Sequence, residues 1–187
     1  MNRTMRNTCI IGACLTAFLQ AFGQNSQPAS PSPAAVRHAA FAGVWRLDLT
    51  KSNMGSDHPD TNYGFTKTFE LKGSTLLQKD HEINIDIVGF AMPERNSTAE
   101  LVPDRQERTV EQPAPFPGMP PVRARITVEW QGDNLIVSES GQSFIGATNT
   151  SRRYYISEDG AELIEDIVGH TLFGDVEQKL VFASNSK

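Results

Sequence analysis

Cysteine is nearly absent from this chain: there are two, Cys9 and Cys14, both close to the N-terminus. Without that segment the chain can form no disulfide, no thiolate metal site and no cysteine nucleophile. Basic residues are also the minority, 17 Lys and Arg against 22 Asp and Glu, for a net charge of −5. That balance supplies no basic face to neutralise phosphates, which argues against a nucleic-acid partner. Nor does any apolar run approach the ~20 residues that span a bilayer. With 39% hydrophobic and 21% charged residues, the composition fits neither a disordered chain nor a polytopic membrane protein.

The longest apolar run is Cys9–Leu19, preceded by Arg3 and Arg6 and followed by Ala21-Phe22-Gly23. A basic start, a short apolar core and small residues at −3 and −1 form the layout of a secretory signal peptide. Residues 1–23 are therefore expected to be cleaved near Gly23, giving a periplasmic or secreted protein with no transmembrane anchor. Loss of Arg3 and Arg6 takes the net charge from −5 to −7. Ile11-Gly12-Ala13-Cys14 raises an alternative, lipid anchoring at Cys14. The stretch that follows, QNSQPASPSPAAV, holds three prolines and three serines. It buries too little surface to offset its ordering entropy, so 24–38 reads as a flexible linker. One domain remains, 39–187.

That domain alternates with period two, the mark of strands with one buried face. Phe41, Trp45, Leu47 and Leu49 fall opposite Arg46 and Asp48; Phe65, Phe69 and Leu71 opposite Thr66, Thr68 and Glu70. Val122, Ala124, Ile126, Val128 and Trp130 face away from Arg123, Arg125, Thr127 and Glu129, and Val176, Leu180 and Phe182 from Glu177, Lys179 and Val181. Turn residues separate the runs at Lys72-Gly73, Gln131–Asn134 and Glu158–Gly160, and again between Gly169 and Gly174. No helix-length stripe interrupts them. The pattern predicts an all-β fold: a single antiparallel up-and-down barrel of about eight strands, closed so that no sheet edge is exposed.

Pro113–Pro121 breaks the alternation with five prolines in nine residues. Proline lacks the donor of a central strand, so this is a loop insertion. It is either a stiff spacer or a lid or partner-docking segment presenting Phe116 and Met119.

Gly43-Val44-Trp45 on the first predicted strand resembles the Gly-x-Trp motif that opens the first strand of the lipocalins, which are eight-stranded barrels. The longer stretches Phe41–Ser52 and Thr150–Gly160 look like exported bacterial proteins described as lipocalin-like. The resemblance spans roughly Ala39–Ser184. It implies a barrel whose floor is closed by Trp45, a structural role. The second and third lipocalin motifs, a disulfide pair and a helix after the last strand have no counterpart here.

Candidate chemistry is sparse. Asp57-His58-Pro59-Asp60 and Asp80-His81-Glu82 set imidazole beside carboxylates, but without the helical spacing of a metal site, and neighbours on a strand face opposite ways. Gly141–Gly146 is one residue off a serine-hydrolase elbow and lacks its strand–turn–helix setting. The acids between Glu158 and Asp166 straddle a hairpin tip, where solvated charge is ordinary. The sequons at Asn96 and Asn149 matter only in a glycosylating source. No catalytic constellation, metal site or cofactor site is expected. Arg152 and Tyr154 share one strand face, Arg153 and Tyr155 the other; an inward Arg152 must stack on an aromatic such as Trp45 or meet a ligand's acid group. The expected pocket is Trp45, Phe65, Phe69, Trp130, Arg152, Tyr154 and Phe182, holding a small apolar or amphipathic ligand. The alternative is a filled barrel acting in interaction or envelope maintenance through its proline loop, with an unknown protein partner.

Overall fold

The computed structural model describes residues 38–55, 62–87, 90–112, 121–143, 146–171 and 174–184. The expected signal peptide, the expected linker up to residue 37, the cluster around His58, and Phe116 and Met119 of the proline loop lie outside the described residues, while His38, expected to end the flexible linker, is part of a helical turn. A helical turn at His38–Phe41 leads into twelve strands. They are β1 (Gly43–Leu47), β2 (Gly64–Lys72), β3 (Thr75–Ile83), β4 (Ile85–Ile87), β5 (Phe90–Met92) and β6 (Arg95–Leu101), then β7 (Arg108–Gln112), β8 (Val122–Gln131), β9 (Asn134–Ser143), β10 (Gly146–Ile156), β11 (Glu162–Thr171) and β12 (Gly174–Ser184). No helix among the described residues is long and apolar enough to cross a membrane.

Ten strands make one antiparallel sheet in the order β6-β3-β2-β1-β12-β11-β10-β9-β8-β7, and β4 pairs with β5 in a separate hairpin. Sequence neighbours are therefore sheet neighbours, β12 returns to β1, and the ladder is open between β6 and β7 alone. The expected all-β, up-and-down order is present, but with ten strands in the sheet instead of eight, and with one unbonded seam. The sheet curls. Phe69 on β2 and Tyr154 on β10 stand four strands apart, about 19 Å in a flat sheet, yet their ring centroids are 5.8 Å apart.

The period-two rows face inward as expected, with three corrections. β1 stops at Leu47 because Asp48 turns the chain: its Oδ1 accepts from Thr50 N at 3.0 Å and Thr50 Oγ1 at 2.6 Å. Val181, expected to face solvent, is buried on the outer face with Ile164. Residues 48–52 lie over them, with Asp48 N donating to Val181 O at 2.8 Å, Val181 N donating to Ser52 Oγ at 2.9 Å, and Lys51 reaching across β12 to Glu162. Leu71, expected inside, is exposed because it lies beyond the last β1–β2 pair, Gly43 with Phe69.

Gly73, Gly132 and Gly160 take up left-handed φ at the expected turns. Gly169 does not end a strand. It sits within β11 at φ +148, where β10 approaches so closely that a Cβ would stand 2.1 Å from Asn149 O.

One contiguous core contains Phe41, Trp45, Phe69, Leu135, Tyr154 and Phe182, with Leu76 and Leu101. Phe182 is fully buried against Phe65, ring centroids 5.4 Å apart. Its truncation in Phe182→Ala leaves a cavity and is expected to cost about 3–5 kcal/mol, read as a lower urea midpoint at unchanged slope.

Candidate functional site

The turns β2–β3, β8–β9 and β10–β11 and the β6–β7 connection lie at one end of the barrel, as alternate connections of an up-and-down sheet must. The inward residues next to them, Leu76, Leu101, Trp130, Leu135, Ile156 and Leu163, are apolar. The helical turn before β1 packs into this end. The His38 ring stacks on Trp130 at 3.7 Å and 6°, and Phe41 meets Trp130 and Phe69 edge-on. Gly43 adopts φ +152, a backbone conformation that favours glycine, and the Trp45 indole lies over it and donates from Nε1 to Phe41 O at 2.9 Å. The Gly-x-Trp spacing thus pins the turn to the first strand.

Above this floor lies a layer of charge. Lys67 follows Phe69 on the inner row of β2 and is 0% exposed. Its Nζ stands 3.3 Å from Glu165 Oε2 on β11 and 3.4 Å from Asp80 Oδ2 on β3. The rings of Phe65, Tyr154 and Phe182 surround the ammonium at 4.9, 5.2 and 5.8 Å from their centroids. Burial works against the charge, but Glu165, Tyr154 and Asp80 outweigh it and hold Lys67 above its ordinary pKa. Gln78 Nε2 donates to Asp80 Oδ2 at 2.7 Å. Burial raises the Asp80 carboxyl, with Lys67 opposing. Tyr154 is pushed up to about 12 by burial and by the nearby Glu165.

Arg152 precedes Tyr154 on the inner row of β10, one step further from the floor, and Glu139 on β9 pairs with Thr150 one step beyond that. Burial opposes the guanidinium charge, and Tyr154, Glu165 and Glu139 outweigh it; Arg152 also hydrogen-bonds Tyr154. It does not stack on Trp45 as expected, because that indole is turned toward Phe41. Three buried polar atoms of this layer have no hydrogen-bond partner: Asp80 Oδ1, Arg152 Nε and Glu165 Oε2.

The expected residues therefore fall into two levels. Trp45, Phe69 and Trp130 belong to the floor, whereas Phe65, Tyr154 and Phe182 border the charged layer with Arg152. Lys67, Asp80, Glu139 and Glu165 are the members that the sequence reading missed. Glu165 is 1% exposed and not part of a solvated tip, because β11 continues past the turn and alternation returns Glu165 to the side of Leu163. His81 is exposed, with Nε2 3.3 Å from Glu94 Oε1, while its neighbours Asp80 and Glu82 bond to inner-row partners. Arg153 pairs with Asp166 outside and lies over Tyr155. Gln142 and Gly141 are part of β9, which leads directly to another strand and not to a helix.

Removing one partner of a buried ion pair strands the other. Lys67→Met is expected to lower stability by about 3–5 kcal/mol, and Lys67→Met with Glu165→Leu to recover most of that loss, by urea unfolding. Asp80 sits above its unfolded value of 3.8. Between 3.8 and its raised value the folded state holds more protons than the unfolded state, so this contribution to stability is complete at lower pH and fades as pH rises. A series of unfolding midpoints above pH 4 is expected to be flatter for Asp80→Asn than for the parent chain.

No protein-family model matches the sequence, and no curated protein does. Solved structures share the fold, among them the following three. The apo form of lipid binding protein 8 from Caenorhabditis elegans is 11% identical at a TM-score of 0.52, over 78% of this chain and 96% of that one. The Schistosoma mansoni fatty acid binding protein in complex with arachidonic acid is 13% identical at a TM-score of 0.50, over 79% and 98%. A mutant of the fluorescent protein UnaG is 16% identical at a TM-score of 0.53, over 80% and 99%. The chain thus shares the all-β antiparallel barrel fold of these structures, with ten strands in its sheet where the lipocalin resemblance implied eight.

Proposed function

We propose that this protein is an exported binding barrel that holds one small apolar or amphipathic ligand. The observation that carries the reading is a gradient along the inner rows. From the floor outward, β10 presents Ile156, Tyr154, Arg152, Thr150 and Thr148; β9 presents Leu135, Val137, Glu139 and Gly141; β8 presents Trp130, Val128, Ile126 and Ala124. On β9 and β10 the inward side chains become smaller and more polar away from the floor, while the floor itself is plugged by large apolar groups. A guest enters at the end away from the floor with its apolar part packed below. Such a site, mostly apolar with a few convergent polar groups, is the usual form of a small-molecule pocket. The fold neighbours, one a lipid binding protein and one holding arachidonic acid, support the same reading. Export rests on the pattern of residues 1–23, and the filled barrel acting through Pro113–Pro121 is the reading that remains if no ligand binds.

The test is thermal unfolding of the domain with single-chain amphiphiles, isoprenoids and haem. A ligand at about a hundred times its Kd contributes about 2.7 kcal/mol, which raises Tm by roughly 5–10 °C in a chain of this size. Thr148→Phe, which fills the end away from the floor, is expected to remove that shift while keeping the melting of the free protein. No shift with any compound overturns the proposal.

A further inference from the structure

The inner charges leave no positive charge in excess, and that restricts the polar end of any guest. We infer that the ligand is an uncharged amphiphile whose head is a hydroxyl, and not a carboxylate; this rests on the ligand-binding reading above and narrows it. Two cations, Lys67 and Arg152, face three carboxylates, Asp80, Glu139 and Glu165, in one layer. The other inward charges are paired where they stand: Arg95 binds Glu82 through Nε at 3.0 Å, and Arg108 binds Asp104 through a terminal nitrogen at 2.8 Å.

Recognition of a carboxylate requires a cation with charge to spare. Lys67 has none, being enclosed by two carboxylates and three aromatic rings. Arg152 has none either, lying among Tyr154, Glu165 and Glu139. A fourth carboxylate against two cations would be an uncompensated buried charge, the costly arrangement in a low-dielectric interior. A hydroxyl adds no charge and matches what is offered. Arg152 and Glu139 are half-buried and lie on the side away from the floor, so a head group reaches them first. The Arg152 Nε–H has no acceptor within the protein and a hydroxyl oxygen accepts from it. The hydroxyl proton in turn is donated to the Glu139 carboxylate. An ammonium performs only the second of these tasks, and a carboxylate only the first.

Dodecanol, dodecanoate and dodecylamine share one apolar chain, so differences among them report the head group. At pH 8 each is titrated into the full domain against a neutral naphthylamine probe. Dodecanol is expected to displace it at a concentration at least about tenfold below either of the others. Dodecanoate or dodecylamine binding as tightly as dodecanol overturns the inference and leaves the ligand-binding reading standing. Failure of all three, and of the probe, to bind removes both. Glu139→Gln, at a half-buried position, removes the carboxylate in excess and leaves two cations against two carboxylates. Its discrimination against dodecanoate is expected to shrink several-fold, with melting of the free chain checked alongside. Unchanged discrimination in that variant overturns the inference.

Discussion

An ammonium sealed from water must find an anion inside the protein, and Lys67 sets that requirement for the whole barrel. It is met by Glu165 from β11 and Asp80 from β3, at 3.3 and 3.4 Å. In the sheet β11 lies three strands from β2, so this pairing exists only when the sheet is curled. The same curl brings Phe69 of β2 against Tyr154 of β10. A flat or slipped sheet would leave Lys67 and Glu165 buried singly, or exposed with their strands shifted by one. Buried ion pairs add little net stability over an apolar replacement, but they penalise wrong pairings heavily. The charged layer therefore acts on register and closure.

The polar layer divides the interior in two. Below it, aromatic and aliphatic side chains meet the helical turn before β1, and the Trp45 indole ties that turn to the first strand through Phe41. That end is a plug. Beyond the layer, inward positions are taken by Thr148, Thr150, Gly141 and Ala124, and the β4–β5 hairpin is among the connections there. On β8–β10 the largest apolar side chains thus gather at one end and smaller ones at the other. Between them stands a layer that carries no spare positive charge.

Much of this was legible in the residues. Alternation placed Trp45, Phe69, Val128, Tyr154 and Phe182 inside, and the glycines at 73, 132 and 160 marked turns that need left-handed backbone. Lys67 and Glu165 were equally readable in principle. Each lies two residues from an inward apolar neighbour, Phe69 or Leu163, and strand parity admits no exception for charge. They were passed over because a lone charged residue ordinarily faces water, and only the presence of an opposite charge across the barrel makes the inward position affordable. Gly169 misled for a related reason: glycine marks a turn when nothing is near, but here it admits the backbone of β10.

What the sequence determined by itself was local: which residues share a face, where the left-handed glycine turns fall, and that the fold is all β, since each depends on neighbours a few positions apart. The strand count in the sheet, the open seam between β6 and β7, the burial of Val181 beneath residues 48–52, and the meeting of Lys67 with Glu165 were decided by the tertiary structure. These depend on which segments come together across about a hundred residues of chain, and that is settled by closure of the sheet and the compensation of buried charge.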